Sequence, residues 1–172
     1  MESFKISTKA QNRTYLPAHL DITWEALEPL FSELKSRAIA SLAELEEWLR
    51  NRSELEACLE ENFAWRYIRM TCDTTDDKLL KDFQYFATEI EPKIAPISNE
   101  LNKKFIECPF TEQLDKDTYL IYVRGIKKAL ELFRENNIAL QTQIQLEQQQ
   151  YQAITGSMSD TLNGKEHTLE QA

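Results

Sequence analysis

The stretch Asp115-Lys-Asp-Thr-Tyr119-Leu-Ile-Tyr-Val123-Arg-Gly-Ile126-Lys-Lys-Ala-Leu130-Glu-Leu-Phe133 repeats its apolar residues at intervals of 4, 3, 4 and 3. That is the period of one face of an α-helix, and no strand can present those five side chains to one side. Asp115 or Asp117 supplies a carboxylate for the free amides of the first turn, and Asn136-Asn137 marks the end. The same pattern recurs on both sides, so this segment sets the fold class as mainly α.

Downstream, the spacing predicts a helix from about Ile138 to Thr155, with Leu140, Ile144, Tyr151 and Ile154 on one stripe. Seven of the twelve residues from Gln141 to Gln152 are glutamine, and these are expected on the solvated face. Glu147 falls on the apolar stripe, where a carboxylate is out of place; it is read as an edge residue. At Gly156 the texture changes. Met158, Asp160 and Leu162 alternate with Ser157, Ser159 and Thr161, and Asn163-Gly164 follows. Both residues of that pair tolerate φ > 0, so they predict a β-hairpin turn. Thr168-Leu-Glu-Gln171 then fits a capping box that would open a helix one residue before Ala172. This reads as a chain cut before its next helix.

Upstream, Pro92 and Pro96 interrupt the stripe that links Leu79, Phe83, Phe86 and Ile90 to Ile97, Leu101 and Phe105. A helix break near Glu91 is expected, because proline lacks the N–H that a helix interior uses. Pro109 ends the following segment. Thr75 with Asp76 and Asp77 places acids at a helix N-terminus. Ser41 with Glu44 and Ser53 with Glu56 both fit S-x-x-E, which predicts two helix starts. The first leads Leu42, Leu45 and Leu49. The second leads a broad stripe, Leu55, Leu59, Phe63, Tyr67 and Met70, expected to be well buried. Trp24 to Ala38 forms a further apolar segment capped by Thr23, with Pro29 either starting or breaking it. Residues 1–22 are polar and aperiodic and are read as an extended N-terminal arm, residues 23–155 as the helical domain, and residues 156–172 as the hairpin and the start of the truncated helix. The fold expected is a multi-helix antiparallel array or bundle with a short C-terminal β-hairpin.

Composition limits function. The 172 residues include only 3 glycines, against an average near ~7%, so a Gly-rich phosphate loop has no room. Twenty-nine acids against 20 bases give a net charge of −9. Seven Glu and two Arg between Ser41 and Glu61 concentrate that excess. A nucleic-acid binder needs clustered Lys and Arg instead; Lys103-Lys104 and Lys127-Lys128 are isolated pairs. No run reaches the length of a membrane span, and the N-terminus lacks the apolar core of a signal peptide. Cys58, Cys72 and Cys108 are odd in number and far apart. They read as small apolar residues in a reducing cytoplasm. Nor is there a catalytic constellation. His19 and His167 are the only histidines, and a catalytic zinc needs three protein ligands. Glu166-His167 resembles the end of H-x-x-E-H, but Asn163 occupies the partner position. His167 is read as an exposed strand residue and His19 as solvated. Nothing places either histidine beside a cysteine. The site expectation is therefore none: no catalytic residue, no cofactor-binding residue and no metal ligand.

Six stretches taken together resemble the N-terminal region of the oligoendopeptidase F-like zinc metallopeptidases, a thimet-oligopeptidase-related group. They are Trp24-Glu-Ala-Leu; Glu44-Leu-Glu-Glu-Trp48-Leu; Phe63-Ala-Trp65-Arg-Tyr-Ile-Arg-Met70-Thr-Cys72-Asp-Thr-Thr; Leu132-Phe-Arg-Glu-Asn-Asn-Ile138-Ala-Leu140; Tyr151-Gln-Ala-Ile-Thr-Gly156-Ser-Met158; and Asn163-Gly164-Lys-Glu-His-Thr168-Leu-Glu-Gln171-Ala172. Their order and spacing follow the family from about residue 22 to the end. Asp160 departs from it, standing where the family tends to carry an apolar strand residue.

The resemblance implies a larger enzyme. In that family a downstream helix carries HExxH and a further Glu ligand, a zinc-bound water attacks the scissile carbonyl, and two helical lobes enclose a channel for oligopeptides. It implies that zinc and oligopeptide substrate belong to the full-length parent, and that this chain is an inactive, wall-forming portion. The alternative is a stand-alone helical interaction or oligomerisation module. Truncation of the parent would leave uncovered the apolar residues on the Tyr119–Phe133 helix, on the Leu140–Ile154 helix, and at Met158 and Leu162. A homodimer at high concentration is expected, through that patch or through paired hairpins.

Overall fold

The computed structural model describes residues 14–168. About three quarters of them are helical. The helices are α1 (Trp24–Ser36), α2 (Leu42–Cys72), α3 (Asp77–Tyr85), α4 (Glu91–Glu107), α5 (Lys116–Leu132) and α6 (Asn137–Ser157). A π-helical turn, Phe86–Ile90, joins α3 to α4, and a 3₁₀ turn, Thr111–Gln113, precedes α5. Strands β1 (Ser159–Leu162) and β2 (Lys165–Thr168) form an antiparallel hairpin in which Ser159 faces Thr168 and Leu162 faces Lys165. Asn163 and Gly164 take φ of 54° and 76°, as the Asn-Gly signal requires. Residues 169–171 of the expected capping box and residues 1–13 of the arm fall outside the described residues.

One core holds the molecule together. Leu27, Phe31 and Leu34 of α1 meet Leu45, Trp48, Leu55 and Leu59 of α2, Phe86 and Ile90 of the π turn, and Leu101 and Phe105 of α4. Ring contacts between Phe63 and both Phe83 and Phe86 tie the middle of α2 to the α3–α4 rod. The N-terminal segment adds Leu16 and Ile22 to the core. It is fixed by Glu54 of α2, whose two carboxylate oxygens accept the backbone N–H groups of Thr14, Tyr15 and Leu16 at 3.1, 3.2 and 2.9 Å. Charge-assisted bonds to backbone amides are among the stronger ones. We therefore expect Glu54→Ala to cost about 2 kcal/mol and to free this segment. Hydrogen exchange at Thr14 to Leu16 should accelerate while α1 and α4 amides stay protected; unchanged protection there would contradict the assignment.

Several expectations about the helices need correction. The Ser53–Glu56 box starts nothing: α2 runs unbroken for 31 residues, with Ser53 exposed in mid-helix. The buried face continues through the box as Trp48, Leu49, Arg52, Leu55 and Leu59. Arginine at that position hides the continuity. At the Ser41–Glu44 box Ser41 Oγ caps the helix by accepting the Glu44 N–H, while Glu44 reaches one residue past the cap to accept the N–H of Ala40.

The chain does not break near Glu91. The π turn passes the Glu91 N–H to Phe86 O, and this wider bonding absorbs Pro92, placed at the start of α4 where its missing N–H matters least. Pro29 likewise neither starts nor breaks its helix: it sits inside α1, on the exposed side. In the last two turns of α2 Met70 is buried as expected, but Tyr67 of the same stripe is exposed, as are Trp65 and Ile68.

The last correction concerns α6, which lies the opposite way round from expectation. Gln149 is buried, Gln145 donates to Glu91 at 3.0 Å, and Tyr67 donates to Gln152 at 3.2 Å. Leu140, Ile144, Tyr151 and Ile154 face outward at 57%, 52%, 69% and 63% exposure.

Candidate functional site

The sequence offered few chemical groups, and the fold keeps them dispersed. His19 is exposed and pairs with Asp21 at 3.0 Å. His167 stands on β2 opposite Asp160, and it is half-buried rather than exposed. Asp160 itself is exposed, its carboxylate accepting the Thr161 N–H. Cys72 is exposed, Cys58 and Cys108 are half-buried, and none is in a disulfide. Glu147 is exposed and accepts a hydrogen bond from Gln143. Among the described residues no three His, Cys, Asp or Glu side chains converge closely enough to hold a metal ion. Nor is any helix there long and apolar enough to cross a membrane.

The polar groups that do converge lie where α1, α2 and α4 meet. Lys104 Nζ donates to the carbonyls of Leu34, Lys35 and Arg37 at 2.7, 2.8 and 2.6 Å. These carbonyls close the C-terminal end of α1, where an ammonium also meets the negative end of the helix dipole. Burial holds the Lys104 pKa below the ordinary lysine value, and the nearby Arg37 adds to the effect. Trp48 donates Nε1–H to the same Leu34 oxygen at 2.8 Å. Arg37 forms a two-pronged pair with Glu33, 2.7 Å on each side, which pulls the Glu33 carboxyl below its usual range.

One turn further along α2, Arg52 is only 3% exposed. It donates to Glu56 and to Asn102 of α4, both at 2.7 Å, and lies over the Trp48 ring. Its Nη1 and the hydroxyl of Tyr122 on α5 are buried without a hydrogen-bond partner, and desolvation pushes the Tyr122 pKa up. All of this is the chemistry of assembly. The groups hold helix ends and cross-helix contacts.

The described residues thus form an α-helical domain with a short hairpin, its helix ends and cross-helix contacts held by structural ion pairs. Residues 20–133 match the family model described as the peptidase M3 N-terminal domain, and the chain belongs to that family. The match spans α1 to the end of α5 and stops before α6. No curated protein matches the chain, and no solved structure does.

Proposed function

We propose that this chain is the non-catalytic N-terminal helical region of a zinc-dependent oligoendopeptidase of the oligoendopeptidase F type. The observation that carries the reading is the family match across residues 20–133. The six stretches quoted above narrow it to that type by resemblance. Zinc, HExxH and peptide-bond hydrolysis are assigned to a downstream region, and no step of the reaction is assigned to residues 1–172. Their part is to form wall for an oligopeptide channel. Leu120, Ile121 and Leu132 of α5, at 60%, 64% and 65% exposure, are the apolar groups the remaining lobe would cover. A cytoplasmic setting suits three cysteines that form no disulfide.

Two measurements test the reading. The chain alone should hold no stoichiometric zinc after dialysis against micromolar free metal, and should not turn over a quenched oligopeptide that the full-length peptidase cleaves. Zinc retention, or turnover that survives repurification, would overturn it. A reading frame that stops at the Ala172 codon would do the same, and one continuing to HExxH would support it. A stop there would favour the second reading, a stand-alone interaction or oligomerisation module, for which the outward apolar stripe of α6 is the specific observation.

A further inference from the structure

The outward face of α6 is a seam with a definite period. Leu140, Ile144, Glu147, Tyr151, Ile154 and Met158 follow one another at 4, 3, 4, 3 and 4 residues. All six are exposed. That spacing is the a/d pattern of a two-helix coiled coil, in which a partner helix packs along the stripe. Met158 sits at the helix C-cap, so the seam runs the length of the helix.

We infer that this seam pairs with the same seam of a second copy of the chain, antiparallel, about a two-fold axis level with Gln149. The pattern is self-complementary in that register alone. It sets Leu140 against the partner copy's Met158, Ile144 against its Ile154, and Glu147 against its Tyr151. The one charged residue of α6 thereby meets the one hydroxyl on the seam, twice by symmetry, and each phenol can donate to a carboxylate. A parallel pairing would set Glu147 against Glu147 in an apolar strip. A two-fold contact of this kind is isologous and closes on itself.

The flanking positions identify the occupant. Gln141, Gln143, Gln148 and Gln150 border the seam, and apart from Glu147 the whole of Asn137–Ser157 is uncharged. A partner selected by charge would need complementary charges on that border. In a chain of net charge −9, a neutral border is what allows two identical acidic surfaces to approach. Amides, which donate and accept alike, serve both sides of a symmetric contact. The polar residues that fix α6 to its own domain, Gln145 and Gln149, lie on the opposite side and stay engaged.

The inference stands on α6, beyond the residues matched by the family, and does not depend on the peptidase reading. Sedimentation of the chain from micromolar to near-millimolar concentration should show a monomer–dimer equilibrium. Ile144→Glu should weaken the dimer about tenfold or more, with the helical circular dichroism unchanged because the site is exposed. Leu120→Glu on α5 should not. The register is read with a short bismaleimide in a Cys72→Ser background. Gln150→Cys lies beside the axis and should cross-link to itself. Leu140→Cys and Met158→Cys are about 27 Å apart along the helix; each alone should fail, and the two mixed should cross-link. A strict monomer, a dimer indifferent to Ile144→Glu, or self-cross-linking of Leu140→Cys would each overturn the inference. None of these results bears on zinc or turnover, so the two proposals fail separately.

Discussion

Trp48→Ala should lower the stability of this domain by about 3–5 kcal/mol, the range for removing a large buried aromatic. Trp48 is fully buried, with Leu27, Phe31, Leu34, Leu45 and Leu101 in the same core. It sits where α1 and α2 meet, so the cavity left by alanine cannot be filled by moving one loop. The indole also donates to Leu34 O, and Arg52 and Lys104 lie within 5.8 and 5.6 Å of its ring centre. A domain of this size has only about 5–15 kcal/mol in hand, so much of the chain would unfold on modest heating. Trp48→Phe keeps most of the apolar volume and loses the donor, and should cost about 1–2 kcal/mol. Guanidinium unfolding followed at the helical circular dichroism band gives both values. An alanine variant within about 1 kcal/mol of the parent would mean that the indole is not a packing centre.

Lys104→Met is expected to cost about 2–3 kcal/mol, because three carbonyls at one helix end lose a charged donor while methionine keeps much of the stem's packing. Lys104→Arg should recover less than half of the loss. A planar guanidinium spreads its donors in a fork, and the ammonium meets Leu34 O, Lys35 O and Arg37 O as a tripod. Trp48 and Lys104 share the Leu34 oxygen. The double variant Trp48→Phe, Lys104→Met should therefore be non-additive by about 0.5 kcal/mol or more. Equal and additive losses in a double-mutant cycle would show that the two donors act independently. Full rescue by arginine would show that charge alone, and not the tripod, matters at this helix end.

Much of the fold was legible in the residues. Asp115 caps α5, Asp76 caps α3 and Ser41 caps α2, because a side-chain oxygen next to free amides acts over three residues and needs no distant partner. Asn163-Gly164 is equally local. The polar cluster at the end of α1 was less legible. Lys104 lies 70 residues from Leu34, and in sequence it was one half of an ordinary basic pair. Arg52 was counted among the charges of an acidic segment, yet it lies on the buried stripe of α2. Its spacing from Trp48 and Leu55 was the signal, and it weakens only if charge is assumed to mean solvent. The unpartnered Tyr122 hydroxyl had no signature beyond a tyrosine next to a stripe.

The sequence by itself determined the helical class, most helix ends and the hairpin, since these depend on φ/ψ preferences, capping and the 3.6-residue period. Which face of α6 turns inward was settled only in three dimensions. That helix carries apolar groups on two sides, Leu146 and Ala153 on one and the Leu140–Ile154 stripe on the other. A hydrophobic period ranks such faces by their own composition, and the outcome depended on what the neighbours offered. Glu91 of α4 and Tyr67 of α2 presented a carboxylate and a hydroxyl. Glutamine satisfies those groups and leucine cannot, so the more polar face docked and the more apolar one was left exposed.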